Sequence, residues 1–304
     1  MPGLRRFEGY RARMQMNSPS RSARSTRKTI RLTTRGRLAL VAAGAAGAGT
    51  AAALLLLVPA DQEAPPRPTS LVIPAGWRAT QVYEAVDKTL DLPAGTTQQS
   101  LAQAELDLPN DAEGNPEGYL YPATYPLGDQ PTPEKLLAAM VDTANRKFLG
   151  APIAAGAQRN ALNVYQAVTI ASIVQAEAAT KDDMGRVARV IFNRLARGMP
   201  LQMNSTVNYA TGRTGLQPTV EDTRIDSPYN SYQRMGLPPT PIDNPGEDAM
   251  RAAINPTPGD WLYFVTVKPG DTRFTADRAE HERNVAEAER NRRSASSRAT
   301  ATAG

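Results

Sequence analysis

The sequence reads as an α+β protein, and three observations carry that reading. Apolar residues at helical spacing fill 133–197. The chain then turns strand-like after 200, with WLYFVTV (261–267) the clearest strand. A small unit holding both a strand and helices, 70–108, stands ahead of them. No internal repeat occurs along the chain.

In chain order the first element is a basic tail. Residues 1–37 hold eleven Lys/Arg against one acidic residue, Glu8, so the net charge of +5 belongs to the tail and the rest is net acidic. A basic tail points to nucleic acid or to a membrane, and the adjoining segment decides between them. Residues 38–58 carry no charge and no proline. As a helix they span about 32 Å, enough for a hydrocarbon core of about 30 Å. Arg31, Arg35 and Arg37 precede this run, and Asp61 and Glu63 lie just beyond it. The excess of positive charge predicts a single-pass cell-membrane protein with a cytoplasmic N-terminus and an extracytoplasmic 59–304. The alternative is a cleaved signal peptide ending near Val58-Pro59-Ala60. The long basic region and the length of the apolar run favour an anchor. On either reading the bulk of the chain is expected outside, and nucleic acid is not an expected partner.

Residues 59–68 are a Pro-rich spacer. In 70–108, SLVIP is a short strand, and Thr80 is placed to cap a helix whose Val82, Ala85, Val86 and Leu90 share a face. LPAG (92–95) is a turn and SLAQAELDL a second short helix. PEGYLYPATYPL (116–127) is extended and dense in Tyr and Pro. Its rings either pack as a linker or form a wall for a sugar, and periodicity does not choose. A helix at 133–149 sets Leu136, Leu137, Met140, Val141 and Ala144 on one side. The run 164–178 is a strongly apolar helix, and 182–197 an amphipathic one ended by Gly198. PLQMNSTVNY then reads as β-like, 227–246 as a Pro/Gly-rich loop, 248–253 as a short helix and 277–290 as a final helix. The remaining 291–304, rich in Ser, Ala, Thr and Arg, is expected to be disordered.

Composition narrows the chemistry. The absence of Cys excludes thiolate nucleophiles, disulfides and Cys-based zinc sites. His281 is the only histidine, so a His-rich metal site is excluded and a Ser-His-Asp triad would have to use that residue. No phosphate-cradling or dinucleotide glycine pattern and no HExxH run is present, which leaves carboxylates. Glu177, in IASIVQAEAAT, shares a helical stripe with Ile170, Ile173 and Val174. A carboxylate on an apolar face is costly unless paired or protonated, and desolvation raises its pKa toward what a general acid needs. On the residues alone, a helix-terminal Glu that reaches water or pairs with an Arg of the next helix remains the alternative. Asp182 and Asp183 suit a helix N-terminus. Arg186, Arg189 and Arg197 read as a solvated face, with binding of substrate carboxylates the alternative, and Lys268 as a turn residue.

Four stretches, covering most of 70–285, together resemble the MltG (YceG-like) endolytic murein transglycosylases. They are ASIVQAEAATKDDMGRVARVIFNRLARGMPLQMNSTVNYATG, SPYNSYQRMGLPPTPIDNPG, WLYFVTV with Phe274 and Glu280-His281, and PEGYLYPATYPL. The resemblance implies a single membrane anchor, a LysM-like subdomain with its connecting segment over 69–127, and a catalytic α+β domain over 128–290. It implies a lytic transglycosylase that cleaves the MurNAc–GlcNAc bond of peptidoglycan and leaves 1,6-anhydro-MurNAc ends, with no cofactor and no metal. Peptidoglycan strands are the implied substrate, and peptidoglycan synthases of the elongation machinery the implied partners. The catalytic glutamate of the family falls on Glu177, while an acidic residue often found two places earlier is Gln175 here. Gln202, Thr206, Tyr229, Asn230, Tyr232 and Glu117 match motif positions implied to line the glycan cleft. Asn204 stands where Asp is common, and with Gln202 and Asn230 supplies neutral hydrogen-bonding groups for acetamido substituents. Thr272 replaces a His, and Glu282 an Asn. Two other outcomes stay in view: a non-catalytic glycan-binding scaffold, and a hydrolase with Asp226 as second carboxylate.

Overall fold

The computed structural model describes residues 69–302 apart from residue 216. The expected tail, membrane span and spacer of 1–68 lie outside the described residues. Among the described residues no helix is long and apolar enough to cross a membrane.

The fold is α+β. Strand β1 (Ser70–Val72) pairs antiparallel with β2 (Thr124–Pro126), Leu71 opposite Tyr125. Between them lie α1 (Ala79–Thr89) and the single turn α2 (Thr96–Gln99). Helix α1 buries Val82, Tyr83 and Val86, and its N-cap is Arg78, two residues before the expected Thr80. Of the expected second helix at 100–108 only a 3-10 turn at Ser100–Ala102 forms, directly after α2. Asp87 draws the chain in there: its carboxylate accepts from Gly95 N, Thr97 N and Thr97 Oγ1 at 2.7, 2.8 and 2.5 Å.

Six helices come next: α3 (Pro133–Phe148), α4 (Ala151–Arg159), α5 (Val164–Glu177), α6 (Lys181–Ala196), α7 (Asn204–Ala210) and α8 (Glu247–Ile254). A hairpin of β3 (Tyr263–Lys268) and β4 (Asp271–Thr275) turns at Gly270, whose φ of +78° suits glycine, and carries a bulge near Lys268. Helix α9 (Arg278–Thr302) packs against it.

Helix α5 is the centre of the molecule, in contact with α4, α6, α7 and α8. It is apolar all round because it is enclosed all round: Tyr165 and every residue from Ala167 to Val174 is buried. Asn163 and Gln166 form a reciprocal capping box at its start. One continuous core joins Leu71 and Val82 through Leu137 and Met140 to Ile173, Ile191 and Met250. The tyrosines of 116–127 belong to that core: Tyr119 stacks on Tyr165 and meets Phe148 edge-on. They are packing residues and not an open wall. The turn before them needs Gly118 (φ +87°), where a Cβ would lie 2.6 Å from Pro241.

Three expectations are corrected. The β-like PLQMNSTVNY forms α7 instead, with Thr206 Oγ1 donating to Met203 O in its first turn. The tail expected to be disordered continues α9 through residue 302, and Asn291 Nδ2 ties its start to Val267 O of the hairpin. Arg186 and Arg189 are not merely solvated. Arg186 pairs with Asp183 and lies 4.7 Å over the Phe274 ring, and Arg189 donates to Pro256 O and Thr257 O. Helix α6 begins as expected, with Asp182 and Asp183 in its first turn and Thr180 as cap.

Candidate active site

Glu177 is the last residue of α5, and Ala178 leaves the helix in an extended conformation. The helix therefore delivers the side chain at its carbonyl end, where the macrodipole disfavours a negative charge. The side chain is half-buried. Its Oε1 accepts a 2.8 Å hydrogen bond from Ser205 N in the first turn of α7, one of the orphan donors at a helix start. Burial pushes the Glu177 carboxyl up, and the donors of Ser205 and Asn204 only partly oppose it.

Two cavities meet at this carboxylate. The main cleft, about 750 Å³, runs from Glu177 between the 199–204 segment and the β3 strand to His281 on α9. The second cavity, about 390 Å³, lies toward Arg78, Gln81 and Asp243. Glu177, Asn204 and Gln217 line both.

Of the residues proposed from the sequence, Gln202, Asn204 and Tyr232 line the main cleft with Glu177. Tyr232 OH donates to Asn204 Oδ1 at 2.6 Å, and Asn204 Nδ2 donates to Gln217 Oε1 at 3.2 Å. Gln202 sits at φ +52°, its N–H on Ser231 O and its Oε1 accepting from Arg194. Thr206, Asn230, Tyr229 and Glu117 line neither cavity. Thr206 is fully buried, its hydroxyl shared with Met203 O and Ser231 Oγ. Asn230, also fully buried, donates to Thr223 O and Ile225 O and accepts from Tyr232 N, which aims Tyr232. Tyr229 bonds Thr240 and packs on Tyr209. Glu117 accepts from Ala79 N and Tyr209 OH, and burial lifts its carboxyl to about 7. These four are supports beneath the cleft. Asp226 pairs with Arg234 on the open surface and lines neither cavity. Thr272 bonds Thr266 across the hairpin, and Glu282 pairs with Arg278 at the rim.

Sequence reasoning missed Arg194. It is buried, and its guanidinium donates to Leu262 O, Pro200 O, Leu201 O and Gln202 Oε1 while lying 5.1 Å from the Tyr263 ring centre. One side chain thus fixes two walls of the cleft. The signal was present: Arg194 continues the inward stripe of Val187, Val190 and Ile191. Tyr263, stacked on His281, was also missed as a wall residue. Burial and the nearby Arg194 push His281 down from its ordinary value. Among the described residues no group of three or more His, Asp or Glu is arranged to hold a metal ion.

The model of the YceG-like family matches residues 45–287. The chain belongs to the YceG-like family. Its YceG-like fold is shared with the crystal structure of a yceG-like protein of Listeria monocytogenes: TM-score 0.63, 30% identity, 71% of this chain and 75% of that one. An endolytic murein transglycosylase of Streptococcus pneumoniae strain D39 is 34% identical over 254 residues, 75% of this chain and 46% of that protein. One of Bacillus subtilis is 39% identical over 166 residues, 54% of this chain and 46% of that protein. This YceG-like chain thus spans about half the length of the curated relatives it matches.

Proposed function

We propose that this YceG-like protein is an endolytic murein transglycosylase, cutting peptidoglycan glycan strands within their length at the MurNAc–GlcNAc bond. The observation that carries the reading is the position of Glu177: a desolvated carboxyl at the junction of two cavities. A strand lying in both passes over it, so the bond presented for cleavage is internal. Held toward its protonated form by burial, Glu177 donates to the glycosidic oxygen as the bond breaks through an oxocarbenium-like state. The resulting carboxylate takes the proton of the muramyl C6 hydroxyl as that oxygen attacks C1, closing the 1,6-anhydro ring. An internal nucleophile replaces water, so a second carboxylate is not needed. Among the described carboxylates on the main cleft, Glu282 is exposed and ion-paired at the rim.

The reading extends to the rest of the chain. Residues 38–58 anchor it in the cell membrane with the N-terminus cytoplasmic, and peptidoglycan synthases are its working partners. Residues 69–127 act as a LysM-like subdomain. The strand–helix–helix–strand order, with β1 and β2 antiparallel, supports that assignment.

Mass spectrometry of peptidoglycan incubated with the purified chain tests the reaction. Anhydro-muramyl ends are expected, and reducing muramic ends in their place would make the protein a hydrolase. A glycan-binding scaffold without turnover is favoured by one observation, the Ser205 N–H bond that makes Glu177 a cap for α7. It predicts no bond cleavage at all.

A further inference from the structure

The loop 240–246 is pinned on both sides of Asp243. Ile242 N donates to Ser172 Oγ at 3.0 Å. Asn244 N donates to Trp77 O, its side chain bonds Trp77 O, and it accepts from Leu120 N. Asp243 itself is 3% exposed and lines the second cavity, yet its Oδ1 has no hydrogen-bond partner among the described residues. Leaving a buried polar atom unpaired destabilises a fold. So rigid a loop holds that oxygen in place at the expense of stability, which is the pattern of a binding group.

The charges around it say what it binds. Among the described lining residues Arg78 is the cation of this cavity, with Nη2 on Arg213 O at 2.6 Å and its guanidinium over Tyr209. Two acids, Glu117 and Asp243, act on it. Glu117 has donors on both carboxylate oxygens, Ala79 N–H and Tyr209 O–H, and so carries the negative charge more readily. Burial and Glu117 together push the Asp243 carboxyl well up, toward its neutral form. Glu117, behind the wall, then partly offsets Arg78, the carboxyl of Glu177 is itself raised by burial, and much of the rest of the lining is amide, including Gln81, Gln175 and Gln217. Such a cavity suits an uncharged ligand rich in hydrogen-bonding groups, not the carboxylate or ammonium end of a peptide.

We propose that the second cavity is a subsite for an N-acetylated sugar residue of the strand, in which Asp243 hydrogen-bonds an acetamido or hydroxyl group of the ring. This rests on the reading of the protein as one that cuts glycan, and it adds a specificity residue on the far side of Glu177 from the main cleft. A protonated carboxyl both donates and accepts, as an asparagine amide does.

Calorimetric titration of the full chain with a (GlcNAc–MurNAc)2 tetrasaccharide lacking stem peptides, in a Glu177→Gln background, reads binding without cleavage. Asp243→Asn is expected to bind within about twofold of the parent, and Asp243→Leu about tenfold more weakly, a loss of about 1.4 kcal/mol. The melting temperature of Asp243→Leu should not fall, because an unpaired oxygen is removed. If it does fall, Asp243→Asn alone decides: within twofold supports the subsite, and a tenfold loss overturns it. Equal binding by Asp243→Leu and the parent would overturn the subsite while leaving the cleavage reading standing. No binding by the Glu177→Gln parent would remove the glycan reading itself, and the subsite with it. Stem peptides that tighten binding more than tenfold, with the gain lost in Asp243→Leu, would make this a peptide site and overturn the sugar assignment.

Discussion

Glu177 and Glu117 begin from the same local chemistry. Each is a glutamate whose Oε1 accepts a backbone N–H at the start of a distant helix, Ser205 of α7 or Ala79 of α1, and burial raises both carboxyls. They differ in what else surrounds them. Glu117 is 3% exposed, receives Tyr209 OH as well, and lines neither cavity. Glu177 is half-buried and lines two. A raised pKa therefore does not by itself mark a catalytic acid. The same desolvation makes a joint where the carboxyl is enclosed and a reactive group where a ligand can reach it.

The largest separation between the two is expected in turnover. Glu177→Gln should slow anhydro-product release by about 10³-fold, the scale of general acid–base catalysis. Its melting temperature should stay near that of the parent, since the amide oxygen still caps Ser205. Glu117→Gln should leave turnover intact. Its amide oxygen still accepts from Ala79 N–H and its amide nitrogen donates to Tyr209 Oη, which can turn to accept, so the fold and the rate per folded molecule both hold.

A smaller effect appears in pH. Glu117 lies near 7 in the fold against 4.5 as its ordinary value, so the folded state holds the proton longer than the unfolded chain. Stability from this group is complete below about pH 4.5 and is lost as pH rises toward 7, an effect on the order of 3 kcal/mol. Glu117→Gln should flatten that part of the stability curve measured by urea unfolding. Glu177 and Asp243, whose carboxyls are raised as well, keep a slope of the same sign, and His281, pushed down, opposes it. The smallest effect is expected from Tyr232→Phe, which removes the donor to Asn204 Oδ1. The rate should fall about fivefold, the worth of one hydrogen bond, and the melting temperature should not change.

The sequence made one side of the comparison legible and hid the other. An apolar run with one acid at its end identified α5 and Glu177, because a helix enclosed on all sides leaves that mark in composition. Glu117 sits in a Tyr/Pro segment whose motif match implied a cleft residue, and only the packing of α1 and Tyr209 around it gives it a supporting role. Helix α7 was hidden because Thr, Val and Tyr favour strands, and because its start is capped by Glu177, 28 positions away. Asp243 lies in a Pro/Gly loop with no periodicity to betray burial. Arg194 was visible as a charged member of an inward stripe, but its partners are carbonyls of Pro200, Leu201 and Leu262, which no side-chain pattern announces.

The central claim is that the open glutamate reacts and the enclosed one supports. The direct test counts anhydro-muramyl ends released from peptidoglycan by the parent, Glu177→Gln and Glu117→Gln, each corrected for its folded fraction. The account predicts ends from the parent and from Glu117→Gln at comparable rates, and almost none from Glu177→Gln. Comparable release by Glu177→Gln, or loss confined to Glu117→Gln, would contradict it.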